Sequence, residues 1–163
     1  MRPMRRSRQA LTPEETTDIL KRGKTGILAL NGDDGMPYAV PVNYLYRAGR
    51  IYIHGAKKGY KLDCIARSPK CSFCVVDEDR IVPEKYTTYF RSAMAFGSVR
   101  VMTNEAEMRG AVRELALKYC ADYADGIEAE IDREWAGLGM LEMTVEEMSG
   151  KECIELVRAR EQG

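Results

Sequence analysis

Histidine and tryptophan each occur once in the 163 residues, and phenylalanine only three times. A single histidine leaves no pair of imidazoles to complete a zinc site beside the lone Cys-x-x-Cys, and no metal centre is expected. An excess of either charge is also missing, because 25 basic residues balance 25 acidic ones. That argues against broad electrostatic binding to nucleic acid or to an anionic membrane. The apolar runs are a few residues long, far short of the roughly 20 needed to span a bilayer as a helix. No internal repeat, low-complexity tract, linker or G-x-G-x-x-G fingerprint is present. The length favours one domain with a core of its own.

What remains is ordinary in composition and specific in order. The opening "MRPMRRSRQAL" is basic with no apolar stretch behind it, so it reads as a solvated arm over residues 1–10 rather than a signal peptide. Five cysteines, an odd number without an export signal, read as reduced thiols of a cytoplasmic protein. Cys71 and Cys74 lie in "KCSFCVVD", which reads as a strand; side chains three apart on a strand face opposite ways. They read as packing residues.

In "LTPEETTDILKRGKTG", Thr12 can cap a helix, Pro13 suits its first position, Glu15 completes a capping box and Gly23 can stop it. "TGILALN" and "MPYAVPVNYLYR" predict two strands joined by "GDDG". Pro41, inside the second, requires an edge, a bulge or a backbone facing something other than a strand. "GRIYIHG" predicts a third strand after a tight turn at Ala48–Gly49, followed by a helix from about Lys58 to Arg67. "KCSFCVVDED" and the long "YTTYFRSAMAFGSVRVM" predict the fourth and fifth, with Gly97 allowing a bend or close approach. Asn104 and Glu107 open a helix whose Met108, Val112, Leu115 and Tyr119 recur at helical spacing as core. "GIEAEIDREWAGL" predicts another helix and "GMLEMTVEEMSGKECIEL" a last strand or pair. The expected class is mainly β with peripheral helices, arranged as a small antiparallel barrel over residues 11–158, with 159–163 a tail.

The stretch "YIHGAKKGYKLD" carries the candidate chemistry. It places the one imidazole, His54, at the end of an apolar run, then two glycines and three lysines. Glycine lets a ligand approach the backbone, amides at a helix start favour an anion, and lysine supplies point charge for phosphate. The same pattern also suits a solvated helix start, and a lone histidine is often structural. Strand alternation in "RIYIHG" puts Ile51 and Ile53 on one face and Tyr52 and His54 on the other.

The order of "PYAVPVNY", "IYIHGAKKGYK" and "YFRSAMAFGSV" resembles the FMN-binding split-barrel superfamily, relatives of pyridoxamine 5'-phosphate oxidase, and most closely its nitroimidazole-resistance proteins. The likeness runs from about Arg5 to about Leu156. It implies a six-stranded antiparallel split β-barrel that forms a homodimer with FMN at the subunit interface. By position, the backbone of Tyr38, Ala39, Val40, Pro41 and Val42 would follow the flavin ring, and His54, Gly55 and Ala56 would lie beside ring and ribityl chain. Lys61 would meet the phosphate, with Lys58 second, and Ser92 would hydrogen-bond the flavin or phosphate, with Arg91 a weaker candidate. Tyr44, Tyr46, Tyr86, Tyr89 and Trp135 are candidates for a substrate pocket. The pyridoxal-phosphate-recognising C-terminal segment of the true oxidases has no counterpart here.

The function so implied is an FMN-dependent oxidoreductase acting on small electron-poor molecules, nitroaromatics such as 5-nitroimidazoles among them. His54 would be its proton-delivering catalytic residue, and NAD(P)H would bind only transiently in the open cleft. Two alternatives stand beside it: a flavin-binding module without turnover, and a haem-binding or haem-degrading split barrel with His54 as axial ligand.

Overall fold

Thr12 opens the first helix as its sequence dictates. The computed structural model describes residues 4–162. In it the Thr12 hydroxyl accepts from the Glu15 amide (3.1 Å), and the Glu15 carboxylate accepts from the Thr12 amide (2.8 Å). This closes the capping box of α1 (Pro13–Arg22). Its Ile19 and Leu20 are fully buried.

Seven strands follow: β1 (Thr25–Asn31), β2 (Pro37–Asn43), β3 (Leu45–Arg47), β4 (Arg50–Ala56), β5 (Lys70–Val82), β6 (Thr87–Val101) and β7 (Leu138–Glu152). All pairings are antiparallel, in the order β2-β1-β5-β6-β7-β4-β3. β2 and β3 stand at opposite edges of this sheet yet are joined through the single residue Tyr44. The sheet must therefore curl until its edges meet, which makes it a barrel whose seam is bridged by the chain. Here the expected count of six is corrected to seven. "MPYAVPVNYLYR" is not one strand, because it breaks at Tyr44 where the chain changes edges. Pro41 lies on the edge strand β2, one of the positions its missing amide allows.

Local backbone chemistry sets the turns. Ala48 (φ 48°) and Gly49 (φ 76°) form the two-residue connection of the β3–β4 hairpin, where both central residues need positive φ. At Gly97 a β-carbon would stand 1.9 Å from the Thr144 carbonyl, and the β6–β7 register shifts beside it. The close approach expected of that glycine is real.

Helices α2 (Tyr60–Arg67), α3 (Glu105–Cys120), α4 (Ile127–Glu134) and α5 (Ile154–Glu161) complete the chain. None is long and apolar enough to cross a membrane. The last strand is a single 15-residue element, and α5 takes up "IELVRARE", most of which was expected to be strand or tail. Residues 7–10, expected within a solvated arm, are docked: Gln9 is buried, Ala10 bridges to Lys151, and Arg8 pairs with Glu161 at 2.9 Å. Residues 1–3 of that arm, and Gly163, lie outside the described residues.

Two apolar clusters result. One fills the barrel with Leu28, Leu30, Ile51, Ile53, Phe73, Val75 and Met143, and is plugged by residues of α1 and α2. The other lies on the outer face of β4 and β7 beneath α3 and α4, and includes Tyr52, Met108, Val112, Ile127, Ile131 and Met140. β4 thus serves both, with alternate residues on opposite faces as its pattern predicts.

Candidate functional site

The site grows from the end of β4. Beyond Ile53 the strand runs out of barrel core, and its outer-face residue His54 emerges at the wall of a cavity of about 780 Å³ between β4 and the α3–α4 pair. Val112, Leu115, Ile127 and Ile131 form much of that wall. A smaller cavity of about 310 Å³ adjoins it, with Gly55, Lys61, Thr103, Met108 and Trp135 in its lining. Ala56 and its β7 partner Leu138 belong to both, so the two spaces meet across one strand pair.

The floor of the smaller cavity is bare backbone. Gly55 pairs with Gly139, and a β-carbon at Gly139 would stand 2.9 Å from the Ala56 carbonyl. Over Gly55 sits the Lys61 ammonium, 3.2 Å from where a β-carbon would be. Lys61 projects from the first turn of α2, whose cap residue Gly59 (φ 132°) supplies no side chain to the helix start. Those first-turn amides favour an anion. The lysine is half-buried and has no carboxylate or hydrogen-bond partner among the described residues. Burial holds its pKa below the ordinary lysine value. The imidazole of His54 is likewise drawn below its usual pKa, first by burial and then by the charge of Lys61. At neutral pH the pair is therefore a neutral imidazole beside an unpaired cation.

Of the residues singled out from sequence, His54, Gly55, Ala56 and Lys61 converge here. Lys58 is exposed and lines neither cavity. Tyr38, Val40 and Val42 pack against the barrel core, while Ala39 and Pro41 face outward on the edge strand. None of these five lines either cavity, although Asn43 at the end of β2 does. Ser92 faces away from the barrel interior and pairs with Val76 and Lys151. It lies nine residues along β6 from Val101 of the smaller cavity, roughly 30 Å of extended strand. Arg91 is engaged by Glu152 (3.2 Å) and Asp77 (3.6 Å). Within one chain, neither residue reaches Lys61.

Among the aromatic candidates, Trp135 lines the smaller cavity, Tyr44 is fully buried, and Tyr86 is exposed on the β5–β6 hairpin. The α3–α4 wall and Gly139 were missed from sequence. The helical stripe on α3 is the same pattern whether it packs on a sheet or borders a void, and Gly139 has no signal apart from its pairing with Gly55. Cys71 and Cys74 do lie on opposite faces of β5, and burial raises the Cys71 thiol to about 12.

The family model described as pyridoxamine 5'-phosphate oxidase matches residues 12–152, and the chain belongs to that family. No curated protein matches its sequence. Solved structures share the fold at low identity. A proposed 5-nitroimidazole antibiotic resistance protein from Bacteroides thetaiotaomicron is 19% identical, with a TM-score of 0.71 over 88% of this chain and 86% of that one. The conserved hypothetical protein Rv2991 from Mycobacterium tuberculosis is also 19% identical, with a TM-score of 0.79 over 92% and 90% of the two chains. An FAD- and haem-binding protein from Mycobacterium smegmatis is 23% identical, with a TM-score of 0.71 over 89% and 73%.

Proposed function

We propose that this chain is an FMN-dependent oxidoreductase that reduces small electron-poor molecules, nitroaromatics among them. The observation that carries the reading is the unpaired Lys61 ammonium above the Gly55–Gly139 backbone, beside His54. An ammonium half-buried without a counter-ion costs free energy unless an anion arrives to pair with it. A terminal phosphate is such an anion, and Gly55 and Gly139 present backbone rather than side chains to a ligand in the smaller cavity. FAD-binding proteins among the structural neighbours support a flavin as the cofactor, and the choice of FMN rests on the Lys61 site alone.

When bound, the flavin supplies the electron-transfer chemistry, and the protein orients it and sets its electrostatics. In this chain Lys61 holds the phosphate, and Gly55 and Ala56 give backbone contact. His54, open to the larger cavity and neutral at physiological pH, takes up a proton at its free ring nitrogen before passing it toward a substrate there.

A homodimer belongs to the same reading. The outer face of β1, β5 and β6 exposes Ile27 (40%), Val76 (57%) and Met94 (36%), with Cys74 between them. An apolar face of this kind favours a second copy. Ser92, Ala39 and Pro41 border it, so a partner's copy is what could bring these residues to the Lys61 site. NAD(P)H is proposed as a transient donor, and a reducing cytoplasm as the setting of the five free thiols.

The visible spectrum of the purified protein and mass analysis of any released chromophore test the cofactor. Flavin bands and the mass of FMN are expected; a colourless protein that ignores added FMN contradicts the reading. Stopped-flow reduction by NADH or NADPH and reoxidation by a nitro compound separates turnover from mere flavin binding. A second reading has one observation in its favour, a neutral imidazole at the wall of a largely apolar 780 Å³ cavity, which suits a haem ligand. A Soret band in that spectrum would favour it.

A further inference from the structure

The two adjoining cavities differ in charge. The smaller has Lys57 and Lys61 in its wall against one carboxylate, Glu105. The larger has neither lysine nor arginine in its wall. Its charged members are Glu130 and Glu134, one turn apart on α4. Arg133, which is not part of that wall, pairs with Glu130 at 2.6 Å and with Glu134 at 3.3 Å. Two carboxylates against one guanidinium leave a single negative charge at the rim.

Apart from Asn43, whose amide donates to the Lys24 carbonyl (3.0 Å), His54 and Cys120, the remainder of the larger wall is apolar or aromatic. Tyr119 is fixed there, donating to the Lys24 carbonyl (2.6 Å) and accepting from the Tyr44 amide (2.9 Å). Tyr123 stands exposed at the entrance. A volume of this size accommodates a small organic ligand. A carboxylate entering it would lose hydration, find no cation in the wall and meet the acidic rim. A phosphate would be held better on the other side of the Ala56–Leu138 pair, where the lysines are.

From this asymmetry we infer that the larger cavity is a substrate chamber for small apolar aromatic molecules, uncharged or cationic, and that it discriminates against carboxylates and phosphates. The chamber stands on its own geometry; only the word substrate rests on the flavin reading. Its location also assigns specificity to α3 and α4, the elements that build its outer wall.

The test is calorimetric titration of the full chain with three probes of one ring system: 4-nitrobenzyl alcohol, protonated 4-nitrobenzylamine and 4-nitrobenzoate. The alcohol and the amine should bind saturably, and the carboxylate at least about tenfold more weakly. Glu134→Lys should narrow that gap about tenfold. Ala116→Trp, which puts an indole into the chamber, should weaken the alcohol at least about tenfold with thermal unfolding unchanged. Ala116→Leu, with a smaller effect in the same direction, serves if the larger side chain prevents folding. Equal binding of carboxylate and alcohol, or a folded Ala116→Trp with parental affinity, would overturn the inference. FMN uptake, followed separately by absorbance, reports on the cofactor reading alone, so the two can fail independently.

Discussion

The barrel interior and the space under α3–α4 are built on opposite faces of the same strands, yet they are filled differently. Inside, Phe73 meets Tyr44 edge to face at 4.8 Å, and a β-carbon at Gly26 would stand 2.1 Å from the Phe73 ring. There is no room to spare. Outside, β4 and β7 pack with α3 and α4 into a second cluster that fills only part of the space beneath the helices and leaves the larger cavity. Close packing stabilises; incomplete packing costs dispersion and burial and persists where a ligand can complete it. The contrast assigns stability to one face of β4 and binding to the other, with His54 and Lys61 at the border.

Substitutions on the two faces should therefore separate. Phe73→Ala empties a packed site and should lower stability by about 3–5 kcal/mol, read from the urea midpoint. Leu115→Ala, against the existing cavity, should cost about 2 kcal/mol, the low end for that change, while altering probe binding. Equal costs would erase the contrast.

His54→Ala should leave the fold intact, since the side chain lies at a cavity wall, partly open to solvent and outside both apolar clusters, and slow proton-coupled flavin turnover by about 10²–10⁴-fold. Stopped-flow rates across pH 5 to 8 check it, with thermal unfolding as control. A histidine whose loss unfolds the chain and leaves the rates of the folded fraction alone is structural instead. Because burial lowers the His54 pKa below 6.5, the unfolded chain takes up this proton first as pH falls. The parent should then lose slightly more stability than His54→Ala just below that value.

A small effect of the same sign is expected at Lys118. Its ammonium donates to the Gly23 (2.7 Å) and Tyr44 (3.0 Å) carbonyls, tying α3 to the barrel seam, and burial lowers its pKa to about 8. Between that value and the ordinary 10.5, the unfolded chain holds the extra proton. Stability should rise with pH across this window, and Lys118→Met should flatten the rise. Paired denaturant curves at the two ends of the window measure it.

Much of the fold was legible because it is written locally. The capping box at Thr12, the turn at Ala48–Gly49 and the alternation of "RIYIHG" each require only neighbouring residues. Tyr44 was less legible: the break that sends β2 and β3 to opposite edges depends on closure of the whole sheet. The helix α5 was missed because "ECIEL" carries no periodicity strong enough to separate it from the strand before it. In the site, His54, Gly55 and Lys61 were readable together because they lie within eight residues of one another in sequence, across the end of β4 and the start of α2. Gly139 and the α3–α4 wall were not, since their roles exist only once β7 pairs with β4 and the helices lie over them.

Lys61 is proposed as the site that binds a flavin phosphate. Equilibrium titration of parent and Lys61→Ala with FMN and with riboflavin tests it most directly. The lost charge-assisted hydrogen bond, worth about 1.5–3 kcal/mol, should weaken FMN about ten- to a hundredfold. Riboflavin, which has no phosphate, should bind both forms almost equally. Equal FMN affinity for parent and variant would contradict the claim and move the phosphate to Lys57 or Lys58.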